Sequence, residues 1–489
     1  MSGPHHPYLS IIREGLRRED SRREDSRPRA AAHQRVIIVG AGMAGLVAAY
    51  ELLRAGHDPQ LLEARQRVGG RILTLREPFT DGLYGNAGAM RIPRSHELTL
   101  AYVAQWGLPL APFVVDNPQA YRHIQGHRHR VADSHSRRDS YGFDLRPDER
   151  QRPIAALWEE ALAPLRREVS AGGERAWGEI AERYDDYSLR RFLAERGWSP
   201  GAIELFGLAT NQEALLNSAF LELLREELGD CYRDLHQVVG GLDLLPRAFL
   251  PALRDRVRFG AQVTALAQDD QGVTVTYRTG AGVGQVTGDR AIVTAPLPVL
   301  RQIEITPPFS HAKRRAIRQL HYETATKIFL QCRRRFWEQD EGIQGGLTVT
   351  DLPIRTVYYP TVGGETGRGL LLASYTWGMD ALRWGALPRA ERVRLAVEDV
   401  AKIHPQIAAE FEVGASVAWH LDEFAGGAFA LFAPGQQRQL HEAIAAPEGR
   451  IHLAGEHTSL THAWIQGAIE SGLRAALEVH QARNPDADS

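Results

Sequence analysis

Cysteine is almost absent. Cys231 and Cys332 are the two in 489 residues, too few for a disulfide framework and suited to a reducing compartment. Net charge is equally scarce: 58 Lys and Arg face 60 Asp and Glu, a formal balance of -2. That balance gives no electrostatic reason to expect nucleic acid or an anionic membrane surface. No cysteine–histidine cluster has zinc spacing, and the pairs His5/His6 and His127/His129 lack the partners a metal needs, so no metal is expected. A Walker A run and a G-x-S-x-G elbow are both missing. The opening MSGPHHPYLSIIREGL has no basic stretch before a long apolar run, and the polar NPDADS at the other end is no anchor. A cytoplasmic protein is therefore expected. What is abundant is apolar residue, 43% of a chain long enough for about three domains' worth of core.

The segment from Val36 to Arg71 carries the strongest signal. Val36 to Val39 reads as a buried parallel strand, and Gly40, Gly42 and Gly45 follow at G-x-G-x-x-G spacing. A helix pattern covers Met43 to Arg54, and a second apolar stretch ends at Glu63. The glycines permit a tight turn, close backbone approach to a pyrophosphate and tight helix–strand packing, while the helix N-terminus faces the phosphates. Glu63 stands where a carboxylate can bind a ribose hydroxyl. A glycine-rich turn or a membrane span are the plain alternatives; the fixed glycine offsets and the second strand argue against both. Ala44, Ala64 and Arg65 belong to the same dinucleotide site. Val68-Gly69-Gly70-Arg71 then brings the chain past the pyrophosphate with a fixed positive charge at Arg71.

Three further runs stand out. Gly88-Ala89-Met90-Arg91 joins small residues, which let backbone lie against a flat ring, to a planar guanidinium that can grip a carboxylate through two parallel hydrogen bonds. Lys327 sits between β-formers in Thr324–Phe329, where a buried amine is costly without partners. Ile451–Thr458 is a strand ending in Gly455 and Glu456, and Trp464, Ile465 and Ala468 open a long helix expected to start near Ala463. A surface arginine, a lysine reaching solvent and a core tryptophan are the structural alternatives.

These motifs resemble the flavin amine oxidase family, and most closely its L-amino-acid oxidases, from Tyr8 to about His480. The resemblance implies FAD, held noncovalently because neither cysteine lies in an attachment motif. It implies cofactor contacts from the residues above and from Val263 and Trp419. Arg91 and Tyr375 would hold the substrate carboxylate, Trp464, Trp419 and Ala428 would border the substrate, and Lys327 would hold a water near flavin N5. The expected reaction is hydride transfer from an L-amino acid, aromatic or large aliphatic, giving 2-oxo acid, ammonia and hydrogen peroxide with molecular oxygen as acceptor. A homo-oligomer, a dimer for preference, is expected. An amino-acid monooxygenase or dehydrogenase, an oxidase of basic amino acids selected by Glu226, Glu227 or Asp230, and a non-catalytic flavin carrier remain open. Where some members of the family carry a histidine base, this chain has none in register; Arg225 is nearest, and His236 is not a substitute.

The fold expected is α/β: an FAD-binding Rossmann-like domain assembled from 35–75, 237–322 and 446–482, a mixed-sheet substrate domain from 76–135 and 323–445, and a helical subdomain over 136–236. Residues 1–34 would give a short helix, with Tyr8, Ile11, Ile12 and Leu16 on one side, and a charged linker in which Arg-Arg-Glu-Asp-Ser occurs twice. A hairpin turning at Gly126, one helix in VVGGLDLLPRAFLPAL, strands around an Asp-Asp-Gln-Gly turn, and a helix over Arg389–Ile403 complete the reading.

Overall fold

A computed structural model describes residues 6–16, 33–361 and 366–482. The tandem Arg-Arg-Glu-Asp-Ser repeat and the NPDADS terminus lie outside these residues. The short N-terminal helix, Leu9–Glu14, buries Leu9, Ile11 and Ile12.

A five-stranded parallel sheet forms the frame, in the order 257–258, 58–62, 35–39, 290–293 and 451–453. Along Arg35–Val39 the side chains alternate between two cores. Val36 and Ile38 join the one that packs helices Met43–Arg54 and Ile465–Gln481, and Ile37 and Val39 face the other. A strand buried on both faces must be apolar throughout, which explains the unbroken run. The two helices touch closely: a Cβ on Gly472 would meet the Ala44 carbonyl oxygen at 2.5 Å. Because the strands are parallel and in register, Gly40, Glu63, Thr294 and Gly455 leave the sheet along one edge. That edge is where ligands meet such a sheet.

A seven-stranded mixed sheet stands beside it, ordered 411–418, 325–332, 369–377, 356–358, 347–350, 121–124 and 127–130. Its inner strand Ala325–Cys332 is buried at every position. The hairpin turns on Gln125 and Gly126, both left-handed at φ 52° and 77°. A helical layer contains Ile154–Tyr184, kinked where Gly173 has φ 56°, with Leu189–Glu195, Pro200–Ala209 and Phe220–Leu228.

Some details differ from the sequence reading. The single helix expected in VVGGLDLLPRAFLPAL is two short ones, Leu244–Arg247 and Leu250–Leu253, because Pro251 has no N–H to continue the ladder. The C-terminal helix begins at Ile465, since Ala463 is left-handed at φ 64° and Trp464 is extended. Strand Leu235–Val238 pairs with 92–93 and 110–112, so it runs across the boundary drawn between 236 and 237.

Candidate active site

The exit edge of the parallel sheet, the mixed sheet and the helical layer enclose a cavity of about 460 Å³. Every site residue named from the sequence lines it except Gly45. Gly45 acts from behind: a Cβ there would sit 2.1 Å from the Gly40 carbonyl oxygen, so its absence lets helix and turn pack. Gly42 is different. A Cβ there would meet nothing within 4 Å, which leaves the first turn of the helix open to the cavity. N–H groups of that turn have no acceptor within the helix and favour an anion.

Glu63 is spoken for in part. Its Oε2 accepts from the Ala41 N–H at 2.7 Å and its Oε1 from the Arg65 N–H at 2.8 Å, while burial pushes its carboxyl above the usual range. Arg65 forks onto Asp422, at 3.0 Å for one of the two bonds, and packs on Phe424. The structure pairs Arg71 with Glu456 at 2.7 Å, and Arg71 also donates to the Ala428 carbonyl at 3.0 Å. Burial opposes ionisation of Glu456, but Arg71 and neighbouring donors outweigh it and hold the carboxyl below its ordinary value. A bare glycine turn, an open helix N-terminus, a carboxylate at the end of the second strand and a second helix N-terminus at Ile465 together fit a flavin dinucleotide.

The inner end holds the reactive groups. Lys327 is completely buried; its Nζ donates to the Asn86 and Gly88 carbonyls at 3.1 and 2.7 Å and lies 4.4 Å from the Tyr375 ring centroid. Burial, then the positive charge of Arg91, drives its amine well below the usual lysine range. Strand register explains the meeting, since Lys327 pairs with Tyr375 across the sheet. Tyr375 is pushed up to about 12 by burial, with Arg91 pulling the other way. Trp419 donates to the Ala87 carbonyl at 2.8 Å, and Gly88 has no room for a Cβ, which would meet the Arg71 oxygen at 1.7 Å.

Arg91 has no hydrogen bond or ion pair among the described residues. Its guanidinium faces aromatic rings instead, 5.6 Å from Tyr232 and 5.7 Å from Trp464. Burial would weaken its charge, but nearby tyrosines and Glu226 keep it firmly protonated. A guanidinium with no hydrogen-bonded partner has its fork open to a carboxylate.

Of the three acids considered for side-chain selection, Glu226 alone lines the cavity; Glu227 lies 3.6 Å from Arg166 and Asp230 3.4 Å from Arg233. Glu222 also lines it, 2.8 Å from His462 Nδ1 and accepting from the Phe432 N–H. Arg225 is outside the cavity, bonded to Glu222 and Gln437. Sequence reasoning missed Tyr232, Trp377 and Phe424, which no local pattern marks.

Residues 43–480 match the family described as flavin containing amine oxidoreductase. A Bacillus subtilis protein provisionally named as an L-amino-acid oxidase is 39% identical over 481 residues, covering 97% of this chain and 98% of its own length. The L-amino-acid oxidase of Pseudechis australis is 36% identical over 485 residues, covering 98% and 90%. Cyclohexylamine oxidase from Brevibacterium oxydans IH-35A has the same fold, with a TM-score of 0.73 at 20% identity over 92% of this chain and 99% of that one.

Proposed function

This chain belongs to the flavin-containing amine oxidoreductases, and on that premise we propose that it oxidises L-amino acids, for preference aromatic or large aliphatic ones. The carrying observation is the Arg91 guanidinium, without a hydrogen bond or ion pair among the described residues, in the cavity that Lys327 and Tyr375 also line. A substrate carboxylate completes it, and a simple amine would leave it bare.

FAD, when bound, supplies the two-electron acceptor. Gly40, Gly42, Glu63, Arg65, Gly70, Arg71, Val263 and Glu456 would hold it. Both cysteines are buried outside the cavity, with thiols pushed up to about 12, which supports noncovalent binding. Arg91 and the Tyr375 hydroxyl orient the amino acid by its carboxylate, and Trp464 walls its amine side. Lys327, its basicity lowered by burial, would hold a water at Nζ. Orientation and fixed dipoles supply most of the rate gain, so no strong protein base is required. The net reaction is amino acid, oxygen and water to 2-oxo acid, ammonia and hydrogen peroxide.

Apolar side chains are favoured because Leu189, Leu215, Leu223, Trp377, Phe429 and Leu431 line the cavity. The acids there already carry donors. The division into FAD, substrate and helical parts, and assembly as a dimer, belong to the same proposal.

The test is anaerobic titration of the yellow protein with a panel of L-amino acids. L-Phenylalanine should bleach the flavin and D-phenylalanine should not. A preference for L-arginine of about tenfold or more in kcat/KM, roughly 1.4 kcal/mol, would overturn the apolar assignment. No bleaching by any L-amino acid would overturn the activity itself. Acid precipitation should release FAD to the supernatant.

A further inference from the structure

The two rings that flank Arg91 end on the same carboxylate. Trp464 Nε1–H donates to Glu226 Oε1 at 2.6 Å, and the Tyr232 hydroxyl donates to Glu226 Oε2. Glu226 belongs to helix Phe220–Leu228 of the helical layer, whereas Trp464 caps helix Ile465–Gln481 on the parallel sheet. One side chain therefore ties two layers of the molecule together at the substrate end of the cavity.

Arg91 makes no hydrogen bond of its own among the described residues, so the faces of Tyr232 and Trp464 define its position. An aromatic ring has few torsions, and a hydrogen bond at its polar tip fixes it. Trp464 also meets the His96 ring edge to face, with ring centroids 4.9 Å apart at 87°. Tyr232 in turn meets the Trp464 ring, with centroids 6.3 Å apart at 67°. Each Glu226 oxygen already accepts one hydrogen bond from a ring, so the orientation of the carboxylate is tied to Trp464 and Tyr232.

We propose that Glu226 is a positioning residue: it clamps Tyr232 and Trp464 so that Arg91 meets the substrate carboxylate in one orientation, and it does not read the substrate side chain. The inference rests on the amino-acid reading above. It accounts for the acid beside Arg91 without invoking a basic substrate.

The test uses FAD-loaded enzyme with Glu226→Leu, Glu226→Gln and Tyr232→Phe. The readouts are kcat and KM for L-phenylalanine and L-arginine, and the Kd of benzoate from its perturbation of the flavin spectrum. Glu226→Leu should raise KM and the benzoate Kd by about tenfold or more, with kcat changed less, because ground-state and transition-state carboxylate binding suffer alike. Glu226→Gln should hold both within about threefold of the parent, because its amide oxygen accepts from Trp464 and its amide N–H donates to Tyr232. Tyr232→Phe cuts one bond and leaves the carboxylate, so it should shift both quantities the same way by less. It decides the matter if Glu226→Leu does not retain FAD. Parent-like KM and Kd in Glu226→Leu, or in Tyr232→Phe where that variant decides, would overturn the proposal. So would loss of L-arginine turnover in Glu226→Gln with L-phenylalanine unchanged. Failure of the amino-acid reading would appear separately, as a parent enzyme whose flavin no L-amino acid reduces.

Discussion

Arg91 brings a charge into the cavity and makes no ion pair among the described residues, which leaves its fork open to a substrate carboxylate. Arg91→Ala should lower kcat/KM for L-phenylalanine by roughly two orders of magnitude, about 3 kcal/mol, and Arg91→Lys should recover only part, because a point charge cannot make the forked contact. Parent-like kinetics in Arg91→Ala would remove the carboxylate assignment. Lys327 is the complementary case, an amine whose basicity burial lowers and which is bound to two backbone carbonyls. Lys327→Met keeps length but strands those carbonyls, so Tm should fall while FAD remains. In stopped-flow measurements, reoxidation by oxygen or imine hydrolysis should slow by about tenfold or more, and unchanged rates for both would make the lysine purely structural. Both residues were legible in the sequence because a charge among small or β-forming residues is conspicuous. Tyr232 and the role of Glu226 were not. The Glu226–Trp464 bond spans 238 positions, and nothing local to either residue announces it.

At the scale of elements, legibility followed periodicity and punctuation. Met43–Arg54 and Arg389–Ile403 fall where the apolar spacing put them, and the hairpin turns at Gly126 as its left-handed geometry requires. The strand Gly282–Gly288 went unread because it is glycine-rich and mostly exposed, with no alternation to detect. The three-stranded sheet of 92–93, 235–238 and 110–112 went unread because its strands are short, two contain proline, and their pairing is entirely long-range. The first βα turn separates folding from binding in one motif. Gly45→Ala forces a Cβ into the Gly40 carbonyl oxygen and should lower Tm by several degrees along with FAD content. Gly42→Ala faces open cavity at φ -72°, an ordinary angle for alanine. It should leave the apoprotein's Tm nearly unchanged and weaken FAD by about tenfold or more, since the methyl occupies the space a phosphate needs. Equal FAD affinity in Gly42→Ala, measured by fluorescence quenching, would place the pyrophosphate elsewhere.

At the scale of the whole molecule, the layers close around the cavity by burying histidines that cannot carry charge there. Burial lowers His96 and His457 to about 3 from the ordinary 6.5. An unfolded chain binds those protons near pH 6.5 and the folded one does not. Their contribution to stability is therefore complete above pH 6.5 and is lost as pH falls toward 3. Each adds a slope of about 1.4 kcal/mol per pH unit in that window. Glu51 works in the opposite sense: burial raises it to about 7, so its contribution is complete below about 4.5 and is lost as pH rises through 7. His441, lowered to about 4 by burial, acts in the same sense as the other two histidines, and the three outweigh Glu51 between 4.5 and 6.5, so acid should destabilise the fold there. His96→Phe keeps a ring edge against Trp464 and removes one titration. In urea unfolding of FAD-saturated protein, followed by circular dichroism at about pH 6.5 and about pH 5, the parent should lose stability on acidification and His96→Phe should lose about 1.4 kcal/mol less per pH unit. Identical slopes for the two proteins would mean that His96 takes its proton in the folded state, and that the wall behind Trp464 is wetter than its packing indicates.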